Sequence, residues 1–197
     1  MGGTTFIAGT VLLFFPNMDT LSALLYTIGS VGFALVDLQE LCTFTQGHPL
    51  PLRVNIACSL VGSLLYIVGS VGFFPKLGLP AVGIWGFILG SAAIGCSQLW
   101  KTHRIGRGGG DGGEVPGCFR VGNLVSETGA FTAAGVELSA GIGAWCFFVG
   151  TSLYQLGPLE GPASVLATVL WIWVAGSLSF TAGGCFLAWR HFVMGIV

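Results

Sequence analysis

The side chains that could do ligand or proton chemistry lie near the ends of apolar segments. They are Gln98, His103, Glu137 and His191. A histidine or glutamine beside a membrane segment could ligate the magnesium of a chlorophyll, and a carboxylate there could accept a proton or bond a neighbouring helix. We treat the four as a candidate pigment or polar site, with chlorophyll, a carotenoid or a bound lipid as candidate cofactors. For Glu137 the competing interpretation is a structural side chain that reaches the interface.

No catalytic or metal-binding pattern accompanies these residues. His48, His103 and His191 are scattered and make no His-x-x-x-His spacing, and the six cysteines form no Cys-x-x-Cys pair. No Ser, His and Asp set suggests hydrolysis. Residues 106–113 are rich in Gly but lack the Gly-Lys-Ser/Thr ending and the preceding strand of a phosphate-binding loop. We therefore expect no enzyme and no metal site, and a flexible linker over 101–123.

Composition places the chain in a membrane. Charged residues make up 8% of the sequence, against roughly 25% in soluble domains, and hydrophobic residues make up 53%. The mean hydropathy is +0.86. Seven basic residues and a net charge of -1 also argue against a nucleic-acid partner. These values are typical of a polytopic membrane protein.

One short phrase recurs along the chain: an aromatic residue, two further residues that are mostly apolar, Gly, then Ser or Thr. In membranes, a small residue lets two helices approach closely, and the adjacent hydroxyl can bond across helices or to its own backbone. The phrase therefore predicts helix-packing positions. Its six glycines are Gly9, Gly29, Gly69, Gly90, Gly150 and Gly176.

Apolar segments of membrane-spanning length carry these phrases. Pro16, Pro75 and Pro158 follow the first segment of successive pairs, where a proline ends a helix. The pattern predicts an all-α fold of six transmembrane helices in three hairpin repeats, the first helix being short. The hairpins occupy 1–40, 54–100 and 124–197, with the linker between the last two. The predicted spans are 3–15, 21–38, 54–74, 81–100, 135–156 and 163–189.

The first two hairpins carry signs of duplication. Phe14-Phe15-Pro16 is echoed by Phe73-Phe74-Pro75 at the end of the corresponding helix. Such hairpins, with an aromatic, Gly, Ser phrase in each helix, resemble the YrhK-like integral membrane family. The resemblance covers 55–100 best, the first hairpin in part and the third loosely. It implies a fold of repeated two-helix hairpins and carries over no catalytic residue.

Basic residues predict the orientation. Only Lys76 lies in a hairpin turn, whereas the other six lie after the second, fourth and sixth helices. Because loops rich in Lys and Arg stay on the positive side of a membrane, we expect both termini and the segment 101–123 to share that side. Asp37, Glu40 and Glu137 should lie near the ends of their helices on this positive side of the membrane.

These observations favour a structural accessory subunit of a larger membrane complex, with other membrane subunits and lipids as partners. We expect that complex to be energy-converting, photosynthetic or respiratory, as in a photosystem or mitochondrial supercomplex. The expected location is accordingly an organellar inner membrane, thylakoid or mitochondrial. The alternative is a small-solute transporter or channel built from hairpins. A polar cavity at mid-depth would favour transport, and a dry core would favour the subunit.

Overall fold

The computed structural model describes residues 2–43, 49–108, 117–156 and 164–195, and the regular structure in these ranges is helical. Two single 3-10 turns, Pro75–Leu77 and Val121–Leu124, lie in the connections. The six α-helices are α1 (Gly2–Leu12), α2 (Asp19–Thr43), α3 (Leu50–Gly72), α4 (Pro80–Gly106), α5 (Thr128–Leu156) and α6 (Ser164–Phe192).

The turn between α3 and α4 shows how the sequence ends one helix and begins the next. Phe73 closes α3, its N–H bonding back to the carbonyl of Gly69, and Pro75 begins the 3-10 turn. Gly78 then adopts a left-handed conformation with φ of 62°, which is costly for residues with a side chain. Pro80 opens α4, where its missing N–H leaves no helical bond unmade.

The lengths and composition of the helices identify a helical integral membrane protein. Five of them, α2 to α6, have 23 to 29 residues and contain windows of mean hydropathy between 1.4 and 1.9. The α1 helix has 11 residues, about 16 Å at 1.5 Å per residue, against a hydrocarbon thickness of about 30 Å. It is too short to cross alone, so the prediction of six spans is not confirmed.

The helices form a closed ring. Each helix packs against the next along the chain, and α1 packs against α6 to complete the circuit. The centre is filled by the aromatic residues of the six recurring phrases. Their rings lie close together, with centroids 4.9 Å apart for Phe6 and Tyr26 and 4.8 Å apart for Tyr66 and Phe87. All six are buried: Phe6, Tyr26, Tyr66, Phe87, Phe147 and Trp173.

The six phrase glycines lie at contacts between helices. A Cβ atom built on Gly69 would be 3.0 Å from the backbone nitrogen of Phe87, and one on Gly176 would be 3.0 Å from the carbonyl of Gly143. Cβ atoms on Gly29, Gly90 and Gly150 would each fall within 2.8 Å of an aromatic ring on a neighbouring helix. Gly9 is the least crowded, 3.3 Å from the carbonyl of Ser22. Small residues therefore allow close approach all round the ring.

Several predicted boundaries were wrong: α2 ends at Thr43 instead of 38, α3 begins at Leu50 instead of 54, and two others differ by more. The α4 helix continues past the predicted end at 100 to Gly106, and α5 begins at Thr128 instead of 135. The prediction ended α4 just before its first charged residue, Lys101. However, Lys, Arg and Gln form helices readily in water, so a membrane helix continues beyond the apolar layer. As a result Lys101, assigned to the linker, belongs to a helix.

Candidate functional site

Lys101 joins three helices at the end of the ring where α2 and α4 finish, which we call the lysine end. Its Nζ atom lies 2.7 Å from each carboxylate oxygen of Glu40 on α2. It also lies 4.0 Å from Oε1 of Glu137 on α5. Only 6% of Lys101 is exposed, so a cation is held inside the protein by one acid from α2 and one from α5.

A third acid extends this cluster toward α3. Asp37 lies one turn before Glu40 on α2, and its carboxylate accepts hydrogen bonds from Ser59 Oγ at 2.9 Å and Ser63 Oγ at 2.5 Å. Because ionisable groups within membrane helices are costly, they are usually paired, as these are. The lysine cluster, Asp37, Glu40, Lys101 and Glu137, therefore connects four consecutive helices through charge and hydrogen bonds.

An apolar groove runs between α4 and α5 from Glu137 toward the membrane centre. Its cavity has a volume of about 390 Å³. The groove is polar only at its lysine end, where Thr102 and Glu137 reach it. The lining residues are Leu99, Thr102, Glu137, Leu138, Gly141, Ile142, Trp145, Cys146, Val149 and Ile172.

Two polar atoms beside the groove lack a partner within the described part of the chain. They are Thr102 Oγ1 and Gln98 Oε1, on successive turns of α4, in residues 7% and 8% exposed. Buried polar atoms without hydrogen bonds are rare because each costs about 1 to 3 kcal/mol. Their presence at one end of a cavity indicates a place where a ligand could supply hydrogen bonds.

The structure separates the four candidate residues into two groups. Gln98 lies across from Gly141 on α5, one turn from Glu137, so these two share the α4–α5 interface. His103 is exposed and stacks on Phe119, with centroids 5.7 Å apart, and His191 is exposed beside Phe192. Among the described residues no group of three or more His, Cys, Asp or Glu could hold a metal ion.

The lysine cluster was not predicted as a unit. Sequence reasoning placed Asp37, Glu40 and Glu137 near the same membrane face but assigned Lys101 to a loop. A signal for part of it was present: Asp37 and Glu40 are three residues apart, and Ser59 and Ser63 four apart, so each pair shares one helix face. Two polar stripes on consecutive helices indicate a contact.

The segment after the Gly-rich stretch folds back onto the end of α4. The Arg120 N–H and the Asn123 side-chain amide both donate to the carbonyl of Gly106, at 2.9 and 2.8 Å. Arg107 Nε donates to the carbonyl of Gly117 at 2.7 Å, and Phe119 covers Gly106. The predicted linker is thus anchored on both sides, and its middle, 109–116, lies outside the described residues.

Comparisons with known proteins identify no related protein. No protein-family model, no curated protein and no solved structure matches the chain. Inferences about function therefore rest on the helix ring, the lysine cluster and the groove.

Proposed function

We propose that this protein is a structural accessory subunit of a larger membrane complex and does not conduct solutes. The observation that carries the proposal is the closed centre of the helix ring. Aromatic side chains from all six helices meet there, and each of the six is 7% exposed or less. A pathway for water or ions needs polar groups lining an open space, whereas this space is filled.

The hydroxyls of the first two hairpins support the same conclusion. Thr10 Oγ1 lies 2.6 Å from Tyr26 Oη, and Tyr66 Oη lies 2.7 Å from Ser91 Oγ, so each hairpin closes one hydroxyl pair internally. These groups bind one another and leave few hydrogen-bonding positions for a passing solute. They instead link neighbouring helices, which is the role of hydroxyl groups in membrane helix packing.

The outer surface supports a subunit role. Large aromatic side chains face outward, among them Trp85, Trp171 and Trp189, each more than half exposed. Such a surface is covered in the membrane by lipid or by other membrane proteins, and we propose that part of it packs against partner subunits. We extend the proposal to an energy-converting complex of a thylakoid or mitochondrial inner membrane, and to an overall likeness to YrhK-like hairpin proteins.

Purification from the native membrane in a mild detergent tests the proposal. We expect the full chain to co-purify in stable proportion with other membrane proteins, which mass spectrometry would identify. We also expect liposomes containing the purified chain alone to be no more permeable to protons, potassium or small solutes than empty liposomes. A chain that purifies alone and raises the flux of a solute would contradict the proposal.

The lysine cluster favours a second candidate, an ion-coupled transporter. Paired charges within a membrane helix bundle often mark ion paths, and Asp37, Glu40, Lys101 and Glu137 form such a set. In this case proton flux in liposomes should exceed that of empty vesicles and fall with Glu137→Gln. Flux that does not respond to this change would count against an ion path through the cluster.

The sixth membrane segment is also part of the proposal. We assign it to α1, which occupies the sixth position in the ring between α2 and α6. Single cysteines introduced as Lys76→Cys and Arg107→Cys, in a chain whose own cysteines are replaced by serine or alanine, report the sides of the membrane. We expect an impermeant maleimide to label them from opposite sides, and a cysteine at Thr4 from the side of 107. Labelling of positions 4 and 76 from the same side would exclude this assignment.

A further inference from the structure

The groove between α4 and α5 has the length of a lipid chain in one leaflet. Its lining on α5 extends from Glu137 to Val149, twelve residue steps or about 18 Å of helix. Half of the hydrocarbon layer is about 15 Å thick. Leu99, Ile142 and Val149 on its rim are each about half exposed, so the groove opens toward the surrounding lipid.

The lysine end of the groove is rich in hydrogen-bond acceptors. Some buried hydroxyls elsewhere in the ring, such as those of Thr10 on α1 and Ser30 on α2, donate to the carbonyl four residues earlier. Thr102 Oγ1 makes no such bond within the described part of the chain, although it is buried and lines the groove. Gln98 Oε1, one turn away, is unpaired in the same range, and the Glu137 carboxylate adds a third acceptor.

We propose that this groove binds one neutral lipid whose polar end carries a hydroxyl group, with its chain along α5 and its hydroxyl at Thr102 and Glu137. A hydroxyl accepts a hydrogen bond from Thr102 and donates its single hydrogen to one acceptor, the Glu137 carboxylate, so one group could satisfy the unpaired Thr102 atom. The proposal is independent of whether the protein is a subunit or a transporter.

The acid in the groove lining argues against the main competing ligands. A phosphate group would bring negative charge toward Glu137, the acid that lines the groove. A cationic group would compete with Lys101, whose Nζ already lies 4.0 Å from Glu137 Oε1. An uncharged hydroxyl donates a hydrogen bond without either electrostatic cost.

Two lipids with the same chains test this choice. The full-length protein is reconstituted in phosphatidylcholine vesicles containing equal amounts of dioleoylglycerol and dioleoylphosphatidate, then released into detergent for native mass spectrometry. We expect one retained dioleoylglycerol per chain and about tenfold less phosphatidate. Equal retention of the two lipids, preferential retention of phosphatidate or retention of neither would overturn the proposal.

Two variants locate the binding. Gly141→Leu fills the groove, and its Cβ would meet only the Gln98 Cβ, at an ordinary 3.4 Å. We expect at least a tenfold loss of retained dioleoylglycerol. Thr102→Val keeps the shape of the side chain and removes the hydroxyl, so we expect a loss of about two- to tenfold, the effect of one hydrogen bond.

The control is Thr27→Val on α2, whose hydroxyl already bonds the carbonyl of Ala23 at 2.8 Å, away from the groove. It should leave retention unchanged. The thermal unfolding temperature is measured for every variant. If Thr102→Val unfolds like the original chain and retains as much dioleoylglycerol, the hydroxyl does not recognise the lipid and the proposal is wrong. An equal loss in Thr27→Val would also reject it.

Discussion

The hydroxyl pairs of the first two hairpins, at the centre of the helix ring, and the polar groups of the lysine end meet the problem of polar groups in a membrane differently. In the centre, the Tyr66 and Ser91 hydroxyls are buried and pair with each other at 2.7 Å. At the lysine end, Lys101 is shared between Glu40 and Glu137, while Thr102 and Gln98 keep polar atoms unpaired in the described part of the chain.

This difference indicates that paired hydroxyls serve helix packing, whereas charged and unpaired groups are suited to binding a ligand. A paired hydroxyl costs little and locks two helices together, so the centre is suited to holding the ring closed. A buried charge or an unpaired acceptor is tolerated only where something offsets its cost. The lysine end, where unpaired atoms adjoin an open groove, is therefore the better place to look for a ligand, even though the recurring sequence phrase points to the centre.

The largest expected effect comes from removing Lys101, the cation of the lysine cluster. Lys101→Met leaves Glu40 and Glu137 without their partner. Breaking a fully buried ion pair costs about 3 to 5 kcal/mol, and because the two acids are 25% and 17% exposed we expect a loss of about 3 kcal/mol. Denaturant unfolding of the purified protein would measure this loss. Lys76→Met, at an exposed hairpin turn, is the matched control and should change stability by less than about 0.5 kcal/mol. Equal stability of the two variants would mean that the cluster holds nothing together.

Crowding the ring should produce the next largest effect. A Cβ atom at Gly86 would lie 2.6 Å from the Cα of Gly69, so Gly86→Ala must push α3 and α4 apart. The expected cost is about 1 to 3 kcal/mol, seen as a lower thermal unfolding temperature. Gly184→Ala, with nothing within 4 Å of the new methyl group, is the control and should be neutral or slightly stabilising. If both variants melt alike, the close approach of α3 and α4 is not as described.

The smallest effect should come from one hydroxyl pair in the centre. Tyr66→Phe and Ser91→Ala each remove one member of the pair, and the double variant removes both. Hydrogen bonds between membrane helices average about 0.6 kcal/mol, with a maximum near 1.7, so we expect a coupling energy in that range from the double-mutant cycle. A coupling near zero would show that the centre is held by ring packing alone.

Much of the fold could be predicted from the residues. Apolar segments located α2 to α6, because a membrane helix needs about 20 apolar residues. The polar end of α4 was misjudged, as Lys101 shows, because hydropathy measures the apolar layer and not the length of the helix. Of the candidate site, Gln98 and Glu137 were named from the sequence, whereas their common interface and the unpaired Thr102 hydroxyl were not.

The sequence by itself determined that the chain is apolar enough for a membrane and that it forms helices between turns that contain proline. It also determined that each recurring phrase places a glycine, such as Gly69, where a neighbouring helix can approach closely. These properties are local, since each depends on residues within one or two turns. Only the tertiary structure decided how the hairpins meet, that the ring closes through α1 and α6, and that Lys101 lies between Glu40 and Glu137. A helix face shows in sequence that it will be buried or polar, but its partner depends on how all six helices pack together.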